Sequence, residues 1–259
     1  SYDKLGRMTQ RVEPGLTSTW MFDTAAYGKG KLHQATTNAG YVRTHVYDNK
    51  GRPQSTQTNL GTGNPTLSSS VAYDTAGRGF QQTYPSGLSV KQVYNTYGYV
   101  SEVRNASTNA LYWRADQMDA EGHLLRETTG NGIVTEFGYR PDSRRLENIV
   151  ANTAAGAQIQ GHAYVYDTIG NVTIVADGPG SQLEIRGGYD ALNRLTQTDI
   201  TINGVTTQQN LTYNALGNIL SKGGVGNYTY GDALHKHAVT AVTGGPVNLT
   251  YGYDANGNL

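Results

Sequence analysis

The chain of 259 residues lacks several features that would point to common classes of protein. It has 0 Cys, which excludes disulfide bridges and thiolate metal sites. Its formal net charge is +0, so no electrostatic footprint indicates nucleic acid or an anionic membrane as a partner. No apolar run approaches the roughly 18 residues of a membrane-spanning helix. The first residues show no charged and apolar leader pattern.

Apolar residues are also scarce, since they make up only 37% of the chain and mean hydropathy is −0.52. Disordered chains share this property, but they usually carry high net charge and few aromatic residues. Here 19 Tyr stand against 3 Phe, and tyrosine combines an apolar ring with a polar tip. With 33 Gly and only 7 Pro, the composition predicts many tight turns between partly solvated strands.

The most informative feature that is present is a Tyr-Asp turn motif, which returns about a dozen times at intervals of roughly 20 to 27 residues. In the clear copies, Gly or Asn stands at the fifth position and Arg or Asn at the sixth. Clear copies begin at Tyr2, Tyr47, Tyr73, Tyr166, Tyr189 and Tyr253, and less regular copies at Phe22, Tyr94, Met118, Tyr139, Tyr213 and Tyr230. Such self-similarity predicts a repeat architecture rather than a single pocket formed by unlike residues.

Residues 189–213 show what one repeat encodes. Residues 189–194 form the turn, because Asp bonds backbone amides two residues on and Asn or Gly tolerates positive φ. The stretch Leu195–Ile202 is rich in Thr and Ile and predicts a strand. Asn203 and Gly204 predict a two-residue hairpin turn, and Val205–Tyr213 is the return strand. The fold class predicted is therefore all-β, an array of stacked antiparallel β-hairpins.

Two further patterns refine this prediction. Tyrosines two positions apart, such as Tyr164 and Tyr166, lie on one face of a strand, so stacked repeats predict cross-strand aromatic ladders. Residues 151–160 are the best candidate for a helix, but Gly156 and the small residues around it favour a loop.

The unit Tyr-Asp-x-x-Gly-Arg-Leu, with Thr-rich strands between copies, resembles the YD repeat of the Rhs family. Relatives of that family include the C components of bacterial toxin complexes and the animal teneurins. The resemblance covers essentially the whole chain, and residues 237–242 also resemble the bacterial branch. It implies a curved strip or part of a hollow shell. Because the chain opens and closes inside repeats, we expect residues 1–259 to be a single array within a longer chain.

The resemblance also implies a function. The chain would be a structural segment of a shell that encapsulates or carries a C-terminal toxin for delivery to other cells. Its partners would be the rest of its own shell and the enclosed toxin, and its location would be secreted or at the cell surface through a bacterial secretion system, in virulence or interbacterial competition. Family members cleave themselves at aspartates in an Asp-Pro context, and no Asp-Pro occurs in this sequence.

The repeated aspartates predict turn caps rather than calcium ligands, because the spacing of known calcium loops is absent. The aspartates concerned are Asp3, Asp48, Asp74, Asp167, Asp190 and Asp254.

Two histidines, His235 and His237, stand two positions apart near Asp232 and have the spacing of a metal site. No third ligand stands nearby in the sequence apart from Asp232, so surface histidines in a loop are expected.

An acidic cluster of Asp116, Asp119 and Glu121 offers the paired carboxylates that glycoside hydrolysis uses. Asp119 occupies a repeat turn, however, so a structural role is expected. Residues 178–181 predict a loop rather than a phosphate cradle, and no Gly-x-Ser-x-Gly motif occurs. We therefore predict no enzyme activity, no catalytic residue, no cofactor-binding residue and no metal ligand.

Two alternatives to the shell remain open at this point. One is an extracellular module that binds carbohydrate or a cell surface through exposed tyrosine rings, and the other is a glycoside-acting enzyme. The placement of the tyrosine rings distinguishes the shell from the binding module. Rings buried between repeats favour a shell, and rings that line an open groove favour binding.

Overall fold

The computed structural model describes residues 1–259 and contains 22 β-strands and no helix. No helix is therefore available that could span a membrane. The all-β prediction is confirmed, and residues 151–160 form the end of one strand, a turn and the start of the next. The strands are β1 (Gln10–Glu13), β2 (Leu16–Phe22), β3 (Leu32–Thr37), β4 (Val42–Tyr47), β5 (Pro53–Asn59), β6 (Thr66–Tyr73), β7 (Gly79–Thr83), β8 (Ser89–Tyr94), β9 (Val100–Asn105), β10 (Leu111–Met118), β11 (Leu124–Thr129), β12 (Val134–Tyr139), β13 (Leu146–Asn152), β14 (Gln158–Tyr166), β15 (Val172–Asp177), β16 (Gln182–Tyr189), β17 (Leu195–Ile202), β18 (Val205–Tyr213), β19 (Ile219–Lys222), β20 (Gly226–Thr229), β21 (Ala241–Thr243) and β22 (Leu249–Thr250).

The chain divides into two compact units, which are described separately. The first comprises Ser1–Gln117 with Glu127–Asn131, and the second comprises Met118–Arg126 with Gly132–Leu259. In the first unit, β1 to β10 pair antiparallel, each with the next strand along the chain. In the second unit, β12 to β22 do the same. Both units are thus sequential arrays of hairpins.

Neither unit has a deep core. Strands contact only the strands that follow or precede them, so each array is one layer thick. Ala151 and Val242 are the only apolar side chains that are buried, and neither is completely inaccessible to solvent. The accessible surface is 15962 Å², whereas a compact monomer of this mass exposes about 11,000 Å². Hydrophobic burial therefore contributes less here than in a globular domain, and hydrogen bonds and turn contacts contribute more.

A β-bulge recurs where each return strand meets its turn motif. The pairing register shifts at the first motif residue, for example between Val46 and Tyr47 and between Ala72 and Tyr73. The same shift occurs at Phe22, Tyr94, Tyr139, Tyr166, Tyr189 and Tyr213. The extra residue lies in the strand that follows the motif, for example Gln54 in β5 and Phe80 in β7, so the aromatic residue keeps its place in the alternation of its own strand.

Candidate functional site

The row of Tyr-Asp turns is the part of the molecule where side chains converge repeatedly. In the copy at residues 189–194, Asp190 Oδ1 accepts hydrogen bonds from the backbone N–H groups of Leu192 and Arg194, at 2.9 and 3.0 Å. Asp190 Oδ2 accepts a bond from Arg194 Nε at 2.7 Å. The backbone closes the same loop, because Asn193 N–H donates to the Asp190 carbonyl at 2.9 Å. One carboxylate therefore ties together the whole turn.

This arrangement explains the residue types of the motif. Asn193 has a φ of 59°, and Gly51 and Gly77 occupy the same position elsewhere with φ of 73° and 86°. Only residues that tolerate a left-handed backbone fit there without strain. Hydrogen bonds from the Arg194 side chain and from its backbone hold the pKa of Asp190 below its ordinary value. The predicted role of the repeated aspartates as turn caps agrees with these contacts.

Most turns also bind the next repeat, through a contact that we call the inter-repeat latch. The tyrosine that opens a motif donates its hydroxyl to a backbone carbonyl that follows the turn of the preceding motif. Tyr213, for example, donates to the Leu195 carbonyl at 2.8 Å. The latch tyrosines are Tyr47, Tyr73, Tyr94, Tyr139, Tyr166, Tyr189, Tyr213, Tyr230 and Tyr253, with distances between 2.5 and 3.3 Å. Nine repeats are joined to their predecessors in this way.

A cation covers many of these rings from the preceding turn. The guanidinium carbon of Arg52 lies 3.9 Å from the centroid of the Tyr73 ring, and that of Arg78 lies 4.1 Å from the Tyr94 ring. Further pairs are Arg7 with Phe22, Lys31 with Tyr47, Arg145 with Tyr166, and Arg194 with Tyr213. No two tyrosine rings stack on each other. The predicted aromatic ladders are therefore wrong, because arginine side chains stand between successive rings.

Some motifs in the second unit replace the arginine. Asn171 donates to Asp167 Oδ2 at 2.9 Å, and Asn258 donates to Asp254 Oδ2 at 3.0 Å, so the turn is kept without a cation over the next ring. In the copy that begins at Met118, His123 takes the place of arginine, and its Nδ1 lies 2.9 Å from Asp119 Oδ2. The first residue of that copy has no hydroxyl, so it makes no latch.

Of the three acidic candidates from the sequence, Asp116 has partners of its own, whereas Asp119 and Glu121 both lie beside His123. Asp116 accepts hydrogen bonds from Arg114 and Thr128, and Asp119 caps its own turn. Glu121 Oε1 faces Arg144 Nε at 3.3 Å. These contacts give each carboxylate a structural partner, as expected for Asp119.

His235 and His237 lie in the loop between β20 and β21 and have different partners. His235 Nδ1 lies 2.9 Å from Asp232 Oδ2, and His237 Nδ1 lies 2.6 Å from Asn218 Oδ1. They are not on a common strand, so the structure does not form a two-histidine site.

Shallow hollows lie on the faces of the strands. One of about 490 Å³ lies over β2 to β4 and is lined by Trp20, Tyr41 and Arg43. Another of about 510 Å³ is formed mainly by glycine backbone between Lys222 and Pro246. Neither hollow is lined by a carboxylate, so neither offers the acid and base pair that glycoside hydrolysis requires.

No family model matches the chain, and no curated protein matches it. Solved structures do. A crystal structure of TcdB2-TccC3-TEV is similar with a TM-score of 0.62 and 17% identity, over 86% of this chain and 15% of that one. A crystal structure of TcdB2-TccC3 without its hypervariable C-terminal region is similar with a TM-score of 0.61 and 16% identity, over 85% of this chain and 14% of that one. The structure of the Photorhabdus luminescens Tc holotoxin pore is similar with a TM-score of 0.51 and 14% identity, over 98% of this chain and 18% of that one.

These likenesses establish the fold. Toxin-complex proteins contain the same kind of hairpin array that the YD-repeat resemblance implied. This chain spans about one seventh of the length of those structures.

Proposed function

We propose that this chain is a repeat segment of an Rhs-type shell that encloses or carries a C-terminal toxin for delivery to other cells. The observation that carries the proposal is the inter-repeat latch, repeated nine times along the chain. A contact that joins nine repeats to their predecessors suits a continuous wall. It does not form a place where a substrate could be turned over.

The construction of the wall supports this function. Interior strands such as β4 pair on both sides, so their backbone hydrogen bonds are used up within the layer. No buried side-chain polar atom lacks a partner. A layer of this kind needs no second layer to satisfy its backbone, and it can face solvent or a cargo on either side.

The placement of the tyrosine rings favours the shell over the alternative binding module. Latch rings lie between repeats, with a hydroxyl bonded to backbone and, in several cases, a cation over the ring. They therefore do not line an open groove, and no observation favours carbohydrate binding. In the proposal, the partners are the other parts of the shell and the enclosed toxin, and the complete protein is exported from a bacterial cell.

The test uses the complete product of the gene that encodes these residues. In limited proteolysis, we expect a C-terminal toxin domain to be protected while the shell is intact. Replacing Tyr73, Tyr94 and Tyr166 by Phe removes three latch hydroxyls but keeps the rings, and it should speed cleavage of the toxin. The proposal fails if the wild-type toxin is cleaved as fast as the isolated domain, or if the gene encodes no such domain.

We also propose that the segment performs no catalysis of its own. His237→Ala removes an imidazole that only contacts Asn218, so the activity of the complete protein should not change. Circular dichroism confirms that the variant is folded. Loss of a measured activity in a folded variant would contradict this proposal.

A further inference from the structure

One turn motif differs from all others in the chemistry of its side chains. In residues 118–123, His123 replaces the usual arginine and Glu121 stands at the fourth position, two residues after the turn aspartate Asp119. His123 Nδ1 lies 2.9 Å from Asp119 Oδ2 and 3.6 Å from Glu121 Oε2. One ligand atom from each of the three side chains lies within 4.8 Å of the other two. An imidazole nitrogen and two carboxylate oxygens therefore lie side by side in this turn.

We propose that Asp119, Glu121 and His123 bind a divalent transition-metal ion of the zinc type, with water completing its coordination. Two ligand atoms that each stand about 2.0 Å from a tetrahedral ion are about 3.3 Å apart. The two observed separations, 2.9 and 3.6 Å, bracket that value. An ion can thus replace the proton on His123 Nδ1 with only small movements of the side chains.

Groups outside this set orient each ligand. Asp119 Oδ1 is occupied by the backbone N–H groups of Glu121 and His123, at 2.9 Å each, which leaves Oδ2 for the ion. Arg144 Nε holds Glu121 Oε1 at 3.3 Å and leaves Oε2. The His123 ring stacks on Tyr139, with centroids 4.9 Å apart. Metal sites depend on such supporting contacts to orient their ligands.

The donor set selects the class of ion. Calcium and magnesium prefer oxygen ligands alone, whereas imidazole nitrogen with carboxylate oxygen suits zinc and its neighbours in the first transition row. The side chains of Asp119, His123 and Glu121 are 20%, 33% and 49% exposed, so an ion can enter from solution. The bound ion would hold this turn closed where other motifs use an arginine.

A second turn provides a matched comparison. Asp232 and His235 make the same contact, with Oδ2 and Nδ1 2.9 Å apart, but no carboxylate supplies a third ligand atom there. The Asp-His contact alone therefore closes the turn, and Glu121 is the residue that completes a metal site.

The experiment is a titration of the full chain, freed of metal with a chelator, with zinc chloride in a calorimeter. We expect one equivalent to bind. His123→Arg restores the usual motif residue, so the turn should stay closed while binding is lost, and Glu121→Gln should weaken binding strongly. Arg144→Gln removes only a supporting contact, and should cost about 10- to 100-fold in affinity. His235→Arg is the control and should bind as wild type does.

A second measurement separates this site from loose association with surface histidines. Cobalt(II) should give visible absorption bands of a low-symmetry nitrogen and oxygen site with wild type, and lose them with His123→Arg. The proposal is overturned if wild type binds no ion, or if His123→Arg, shown to be folded by circular dichroism, binds zinc as tightly as wild type.

Discussion

At the Tyr-Asp ends of the hairpins, side chains fix both the turn and its neighbour, whereas at the opposite ends the turns rest mainly on backbone hydrogen bonds. Asp190 and Arg194 close one motif turn, and Arg194 then covers the Tyr213 ring. At the opposite end, Asn203 N–H donates to the Ser181 carbonyl at 3.1 Å, without side-chain contacts of that kind.

The lengths of the turns differ in the same way. Most motif turns have five residues between their strands, and the exceptions are nine after β2, six after β12 and eleven after β20. Opposite turns have no common length and vary from two residues between β17 and β18 to four between β15 and β16 and six between β5 and β6. Where a motif turn has its usual length, its carboxylate reaches the same backbone amides, so the motif ends of the hairpins set the spacing of those repeats more closely than the opposite ends do.

Acid should produce the largest difference between the two ends. The folded pKa of motif aspartates is lowered, for Asp23 to about 2 because the Arg7 side chain donates to it. A carboxylate whose pKa is lowered in the folded state stabilises the protein at any pH above its pKa in the unfolded chain, about 3.9. This stabilisation is lost as the pH falls through the pKa of the folded state. Stability should therefore fall between about pH 4 and pH 2.

Hydrogen exchange followed across that range checks the prediction locally. The amide of Arg194, which donates to Asp190, should lose protection before the amides around Asn203 and Gly204. Asp190→Asn should flatten the pH dependence at its own turn and leave the opposite turn unchanged. Equal loss of protection at both ends would show that the carboxylates do not control the motif row.

Much of this comparison could be predicted from the sequence. The strands Leu195–Ile202 and Val205–Tyr213 have their predicted bounds, and Asn203 and Gly204 have φ of 48° and 81°, as their two-residue turn requires. These features depend on residues that are close in sequence. Turn chemistry and strand periodicity suffice to predict them.

The latch could not be predicted in the same way. Tyr73 reaches the Pro53 carbonyl, 20 residues earlier, and this contact depends on the pairing register between β5 and β6. Simple alternation instead suggested tyrosine ladders, because it does not include the arginine side chains that cover several of the rings. The regular position of arginine, five residues after tyrosine, was visible in the sequence, but its partner in the next repeat was not.

A glycine at the fifth motif position should be the most sensitive single residue. Gly77→Val places a β-branched residue at φ of 86°, with its Cβ 3.3 Å from Arg52 Nη1, so it should destabilise by about 2 kcal/mol. Gly252→Val is the control, because Gly252 has an ordinary φ and open space around it. Urea unfolding compares the two. Similar midpoints would mean that the motif turn accepts a normal backbone.

Removing a latch hydroxyl should destabilise the protein less than the glycine substitution does. Tyr73→Phe keeps the ring beneath Arg52 and removes the 2.6 Å bond to the Pro53 carbonyl, which should cost about 1 kcal/mol. Tyr97→Phe is the matched control, since Tyr97 is 85% exposed and is not a latch tyrosine. If both variants melt at the wild-type temperature, the latch does not stabilise the array.

The smallest effect should come from lengthening an opposite turn. Doubling the four-residue loop between Asp177 and Gln182 with Gly and Ser costs only about 0.6 kcal/mol of closure entropy. The same four residues inserted after Asp190 move the amides of Leu192 and Arg194 away from its carboxylate, and they carry Arg194 away from Tyr213. That variant should lose the turn bonds and the cation contact together. Thermal unfolding of the two insertions tests the asymmetry directly, because equal destabilisation would place the control of repeat spacing in the strands rather than in the motif row.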